Sequence, residues 1–120
     1  MSVTELDLLT FFESEPQLLD PKDPWAYNDA AYHVQQGDLA LSFAVAPAYF
    51  DVRIILKCAE ATLYELNAMG VEDVTYDIHG GRETLKVTLS PENWVVLTLK
   101  PGVSLSHGSK GIRIGQLSIA

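Results

Sequence analysis

Hydrophobic positions change their period along this chain, and the change divides it into a helical start and a β-rich remainder. Val3, Leu6, Leu9 and Phe12 recur at three-residue spacing, with Leu8 and Phe11 widening the stripe. That period predicts a short amphipathic helix over 2–13. Ser2 followed by Glu5 has capping-box spacing, and acids in the first turn suit the positive end of the helix dipole. Residues 14–29 lose the period. Pro16, Pro21 and Pro24 each remove a backbone donor and fix φ, so an irregular connection is expected there. It carries Leu18, Leu19, Trp25 and Tyr27, which favours a loop packed down on the rest.

From residue 30 the period falls to two. Tyr32–Gln35, a Gln36-Gly37 turn and Leu39–Val45 read as a hairpin, with Leu39, Leu41, Phe43 and Val45 on one face. Pro47 ends it, and Asp51–Lys57 is the next strand. Residues 58–69 admit two readings. Ala59, Glu60, Ala61, Leu63, Glu65 and Leu66 favour helix by propensity, but a strand returning over Thr62–Leu66 is preferred. Val74, Tyr76 and Ile78 alternate, His79-Gly80-Gly81-Arg82 is turn chemistry, and Leu85, Val87 and Leu89 alternate again. After the Ser90–Asn93 turn, Trp94–Lys100 is apolar on both faces, as a central strand would be. His107–Gly111 offers little to pack. Ile112–Ile119 is either a last strand with a bulge at Gly115 or an appended tail.

The expected fold is therefore α+β: one domain over 1–120, with a short N-terminal helix (2–13) and an acidic Pro-rich loop (14–29). A mostly antiparallel sheet of six to eight strands (30–105) follows as a meander, sandwich or partial barrel, then a loose segment (106–120). The length of 120 residues suits one domain, and 48% apolar content argues against disorder. No apolar run approaches the length of a membrane span. Met1-Ser2-Val3-Thr4-Glu5 places an acid where an export signal carries cations, and Cys58 is the only cysteine. A cytoplasmic protein without intramolecular disulfides is expected.

Charge adds one feature. Residues 1–38 hold eight carboxylates against one cation, Lys22, a net of −7, whereas residues 39–120 hold eight against seven. Such asymmetry attracts a basic surface and repels nucleic acid. The aromatic residues Trp25, Tyr27 and Tyr32 stand within the acidic part.

Catalytic and cofactor motifs are not evident. His33, His79 and His107 lie in separate elements without metal-ligand spacing, and Asp20-x-x-Asp23 lacks the alternation of a calcium loop. His79-Gly80-Gly81 has no Gly-x-Ser-x-Gly partner. Gly108-Ser109-Lys110-Gly111 lacks the spacing of a phosphate-binding loop. Scattered cations leave no footprint for DNA or RNA. Glu60, Glu65, Glu83 and Glu92 keep a small carboxylate-dependent enzyme open as one alternative. A structural or assembly module of a phage or secretion system is another. No cofactor or metal is expected, and the sequence sets no oligomeric state.

The strings Leu39-Ala-Leu-Ser-Phe-Ala-Val-Ala-Pro47, Asp51-Val-Arg-Ile, Met69-Gly-Val-Glu-Asp-Val-Thr-Tyr76, Gly81-Arg-Glu-Thr-Leu-Lys-Val87 and Leu97-Thr-Leu-Lys-Pro101 share a character. Over about residues 25–105 they make the chain similar to small immunity-type proteins of bacterial polymorphic toxin systems. The resemblance rests on strand and turn strings and transfers no functional residue. It implies a non-catalytic inhibitor that occludes the active or substrate-binding site of a toxin domain, itself basic where it attacks nucleic acid. From the residues themselves, the expected partner contacts are Glu13, Glu15, Asp20, Asp23, Trp25, Tyr27 and Asp29, with aromatic anchors and steering charges.

Overall fold

A computed structural model describes residues 1–109 and 112–118. The fold is α+β: one helix and two antiparallel sheets, each a five-stranded meander. Helix α1 spans Glu5–Phe12, shorter than the expected 2–13. The capping box lies two residues later than Ser2/Glu5. Thr4 Oγ1 accepts from the Asp7 N–H at 3.1 Å, and Asp7 Oδ2 accepts from the Thr4 N–H at 3.0 Å. Val3 and Leu8 then occupy the positions of a hydrophobic staple, and both are buried. The buried stripe is Leu8, Phe11 and Phe12, whereas Leu6 is exposed and Leu9 half-buried. Ser2, freed from capping, donates its N–H and hydroxyl to the Asp73 carboxylate.

The chain forms two compact units, Phe12–Gly70 and a discontinuous one made of Met1–Phe11 with Val71 onward. The boundary falls between adjacent phenylalanines.

In the Phe12–Gly70 unit, β1 (Gln17–Leu18), β2 (Ala30–Gln36), β3 (Leu39–Ala46), β4 (Asp51–Cys58) and β5 (Ala61–Ala68) pair in sequence order. Residues 58–69 are thus a turn and a strand. The β2–β3 hairpin is in register through Gln36↔Leu39, which puts the turn at Gly37-Asp38, one residue beyond the expected place. One face lines up Tyr32, Phe43, Ile54 and Leu66. Phe12 stacks on Tyr32 with ring centroids 4.7 Å apart and tilts against Phe43 at 5.5 Å. Tyr32 is therefore a core residue.

In the other unit, β6 (Asp73–His79), β7 (Arg82–Ser90), β8 (Asn93–Thr98), β9 (Ser104–Ser109) and β10 (Ile112–Ser118) also pair in order, with β8 central. His79 faces Arg82 across Gly80 and Gly81, both at positive φ, as a two-residue hairpin turn requires. Phe11 meets Tyr76 edge-on at 6.2 Å. The Val3 N–H donates to the Val74 carbonyl at 2.9 Å on β6.

Residues 107–109 are not loose. They complete β9, which pairs with both β8 and β10. The feature hidden in the sequence is Gly108, buried opposite Trp94: a β-carbon there would lie 2.7 Å from Trp94 Nε1. The glycine that looked like a loop residue makes room for the indole. β10 pairs along β9 with a register shift between Arg113 and Gly115, so 112–118 form a strand with an irregularity at the expected place. Lys110, Gly111 and Ile119 lie outside the described residues.

Candidate functional site

The acidic loop is organised by a residue that carries no charge. Asn28 is 6% exposed. Its Nδ2 donates to the carbonyl oxygens of Asp20 and Asp23, at 3.0 Å for the latter, and its Oδ1 accepts from the backbone N–H of Asp20 (3.2 Å) and of Asp29 (3.0 Å). A single buried amide thereby satisfies four backbone groups of a segment that proline keeps out of regular structure. Asp20 Oδ1 accepts from the Lys22 N–H at 3.0 Å, an Asx turn, and the Asp23 N–H bonds to the Asp20 carbonyl at 3.1 Å. Trp25–Tyr27 forms a 3₁₀ turn after Pro24. The ends of the loop are held too: β1 pairs with the start of β2, and the Leu19 N–H donates to the Asp29 carbonyl at 3.0 Å.

The residues expected to meet a partner fall into different situations. Glu13, Glu15, Asp20, Asp23 and Tyr27 are exposed. Trp25 is half-buried and its Nε1 donates to Tyr32 Oη at 3.1 Å, so its edge is committed inward. Asp29 is also half-buried and forms an ion pair with Arg53 at 2.9 Å. That bond, opposed by partial burial and helped by the Asp29 and Asp51 charges, raises the Arg53 guanidinium pKa. Asp29 thus contributes little outward charge. Asp20 and Asp23 have no ion pair among the described residues.

Two features of this region have no counterpart in the charge pattern. Asn28 is one of them. The other is Tyr49, 74% exposed on a second 3₁₀ turn, Pro47–Tyr49, which lies against the Trp25–Tyr27 turn. The Pro-Ala-Tyr-Phe string marks only a strand break in sequence, and nothing in it indicates that the ring faces outward.

The carboxylates weighed for acid–base chemistry stand on different elements. Glu60 and Glu65 are exposed around β5, Glu92 is exposed in the β7–β8 turn, and Glu83 accepts a hydrogen bond from the Tyr76 hydroxyl. His33 lies on β2 with Nδ1 3.3 Å from Ser42 Oγ, while His79 and His107 end β6 and lie in β9. Among the described residues no group of three or more His, Cys, Asp or Glu could hold a metal ion, and no helix is long and apolar enough to cross a membrane.

No family model matches the chain, and comparison with curated proteins and with solved structures likewise returned no match.

Proposed function

We propose that this protein is a non-catalytic, protein-binding inhibitor of the immunity type, which neutralises a toxin domain by covering a basic active or substrate-binding surface. The observation that supports the reading is the braced loop. Asn28 fixes a segment that presents Asp20, Asp23 and Tyr27 to solvent, with no ion pair on either carboxylate among the described residues. A loop ordered before encounter loses little entropy on binding, and its outward carboxylates, which outnumber the exposed Lys22 between them, steer a basic partner to it. Exposed Glu15 adds to the negative charge of the segment.

The test is capture of the partner from the native host by the full chain, then assay of the captured protein's own activity against added inhibitor. The expected result is loss of activity at one-to-one stoichiometry. The double variant Asp20→Lys/Asp23→Lys should bind more weakly, with a flatter dependence on salt. Unchanged affinity in that variant overturns the acidic-face reading. Asp29 is left intact, because reversing it would also break its pair with Arg53.

A second reading, an assembly module, is favoured by β5. This strand ends its sheet, pairs among the described residues with β4 alone, carries neither Lys nor Pro, and leaves Leu63 42% exposed. Concentration-dependent oligomers in sedimentation would support it over the inhibitor.

A further inference from the structure

The paired residues Leu18, Ala30, Val45, Val52 and Ala68 form one cross-strand row at an end of the Phe12–Gly70 sheet. Every segment that leaves this end carries a large side chain in solvent. Leu19 follows β1 and is 81% exposed; Tyr27 precedes β2 and is 73% exposed; Tyr49 lies between β3 and β4; Met69 follows β5 and is 81% exposed. At the opposite end β2 joins β3 and β4 joins β5 through the short Gly37-Asp38 and Ala59-Glu60 turns. Among the described residues, three further large hydrophobics are exposed, Leu6, Leu63 and Ile78, and none leaves this end.

The segments are not slack. The two tyrosines stand on 3₁₀ turns that lie against each other. Leu19 is tied by its N–H to Asp29, and the Gly70 N–H after Met69 bonds to Asp51 Oδ1 at 3.0 Å. Apolar side chains held in water on a tied backbone gain by being covered. The charge beside them says by what: in the loop that carries Leu19 and Tyr27, Asp20 and Asp23 outnumber Lys22, so the covering surface is cationic.

We infer that this end of the sheet, with Leu19, Tyr27, Tyr49 and Met69 as its apolar floor, is a docking surface for arginine side chains presented by a basic protein. Arginine fits both halves of the surface. A weakly hydrated planar guanidinium lies on a tyrosine face and its charge answers the carboxylates, while the stems of separate arginines lie on Leu19 and on Met69, which follow opposite edge strands of the sheet. Lysine answers the carboxylates alone. The inference rests on the reading of the acidic loop as protein-binding, and adds the residues and the chemistry of contact.

The probe is a nona-arginine peptide, with nona-lysine beside it, titrated into the full chain at low salt and followed by NMR. Arginine peptide should shift the signals of Leu19, Tyr27, Tyr49 and the Met69 methyl, and bind more tightly than lysine peptide. Tyr27→Ala/Tyr49→Ala should weaken arginine binding about tenfold and erase the preference for arginine. Both rings are exposed, so the variant should keep its melting temperature; Met69→Gln is a milder companion that should weaken binding about two- to threefold. Three results overturn the inference: equal binding of the two peptides, unchanged affinity in the tyrosine variant, or occupation of the patch by a second copy of the chain. The outcome for the acidic loop is read separately. If Asp20→Lys/Asp23→Lys abolishes peptide binding while the tyrosine variant binds normally, the acidic face stands and only the aromatic floor fails. If charge reversal changes nothing, the underlying reading fails with it.

Discussion

Trp25 Nε1 donates a hydrogen bond to Tyr32 Oη at 3.1 Å. The bond joins an irregular loop to a tyrosine that is 1% exposed and stacked on Phe12. Trp25→Phe keeps most of the ring and removes the donor. It should cost about 1 kcal/mol of unfolding free energy. A double-mutant cycle with Tyr32→Phe, measured by urea denaturation, should return a coupling of about 0.5–1.5 kcal/mol. A coupling of zero would show that the bond contributes nothing.

Asn28 should be the most sensitive position of the loop. Asn28→Ala leaves the N–H groups of Asp20 and Asp29 and the carbonyls of Asp20 and Asp23 without this partner. A loss of about 2–3 kcal/mol is expected. Asn28→Asp should be as harmful, because a carboxylate keeps the acceptor but presents no donor to the two carbonyls. Hydrogen exchange at Asp20 and Asp29 should accelerate in both variants before global unfolding does.

Gly108 and Trp94 should behave as a pair. A β-carbon at 108 meets Trp94 Nε1 at 2.7 Å and Cε2 at 2.9 Å. Gly108→Ala should destabilise by about 1–3 kcal/mol, since the ring has to move and Lys86, whose Nζ lies 5.4 Å from its centroid, must follow. Trp94→Leu should recover most of that loss in the double variant. Additive losses on denaturation would rule out the steric account.

The alkaline limb of stability should report Tyr76. Its hydroxyl is pushed up to about 12, first by its hydrogen bond to the Glu83 carboxylate, then by burial and by the charges of Glu83 and Asp7. In the unfolded chain it ionises near 10. Between these values the folded state holds a proton that the unfolded state has lost. The contribution is thus complete below pH 10 and disappears as pH rises through 12. Tyr76→Phe should flatten the fall of the urea midpoint over this window. A residual slope remains from Tyr64, which burial also raises. An identical limb in the variant would refute the assignment.

Much of the sheet structure was legible because its signals are local. Gly80-Gly81 between two alternating runs needs no distant information, nor do the Pro47 and Pro91 breaks. The helix was legible in kind but not in frame, since Ser2/Glu5 and Thr4/Asp7 are chemically similar capping pairs. What separates them is Asp73, which takes Ser2 from far along the chain. Strand β9 was illegible for the same reason: His107-Gly108-Ser109 looks unpackable until Trp94 is opposite. At the candidate site, the charges and Tyr27 could be read from the sequence. The pairing of Asp29 with Arg53, the bracing by Asn28 and the outward ring of Tyr49 are tertiary facts with no local signature.

The boundary between Phe11 and Phe12 bears on synthesis. Residues 12–70 are contiguous, and each of their strands pairs with a sequence neighbour, so this unit has all its contacts available as soon as it emerges. Met1–Phe11 belongs instead with Val71 onward. The helix is made before both sheets, and only its last residue, Phe12, finds its ring partners early: on the ribosome Leu8 and Phe11 stay without the partners of their own unit until β6 and its neighbours follow, an interval in which a chaperone would find them.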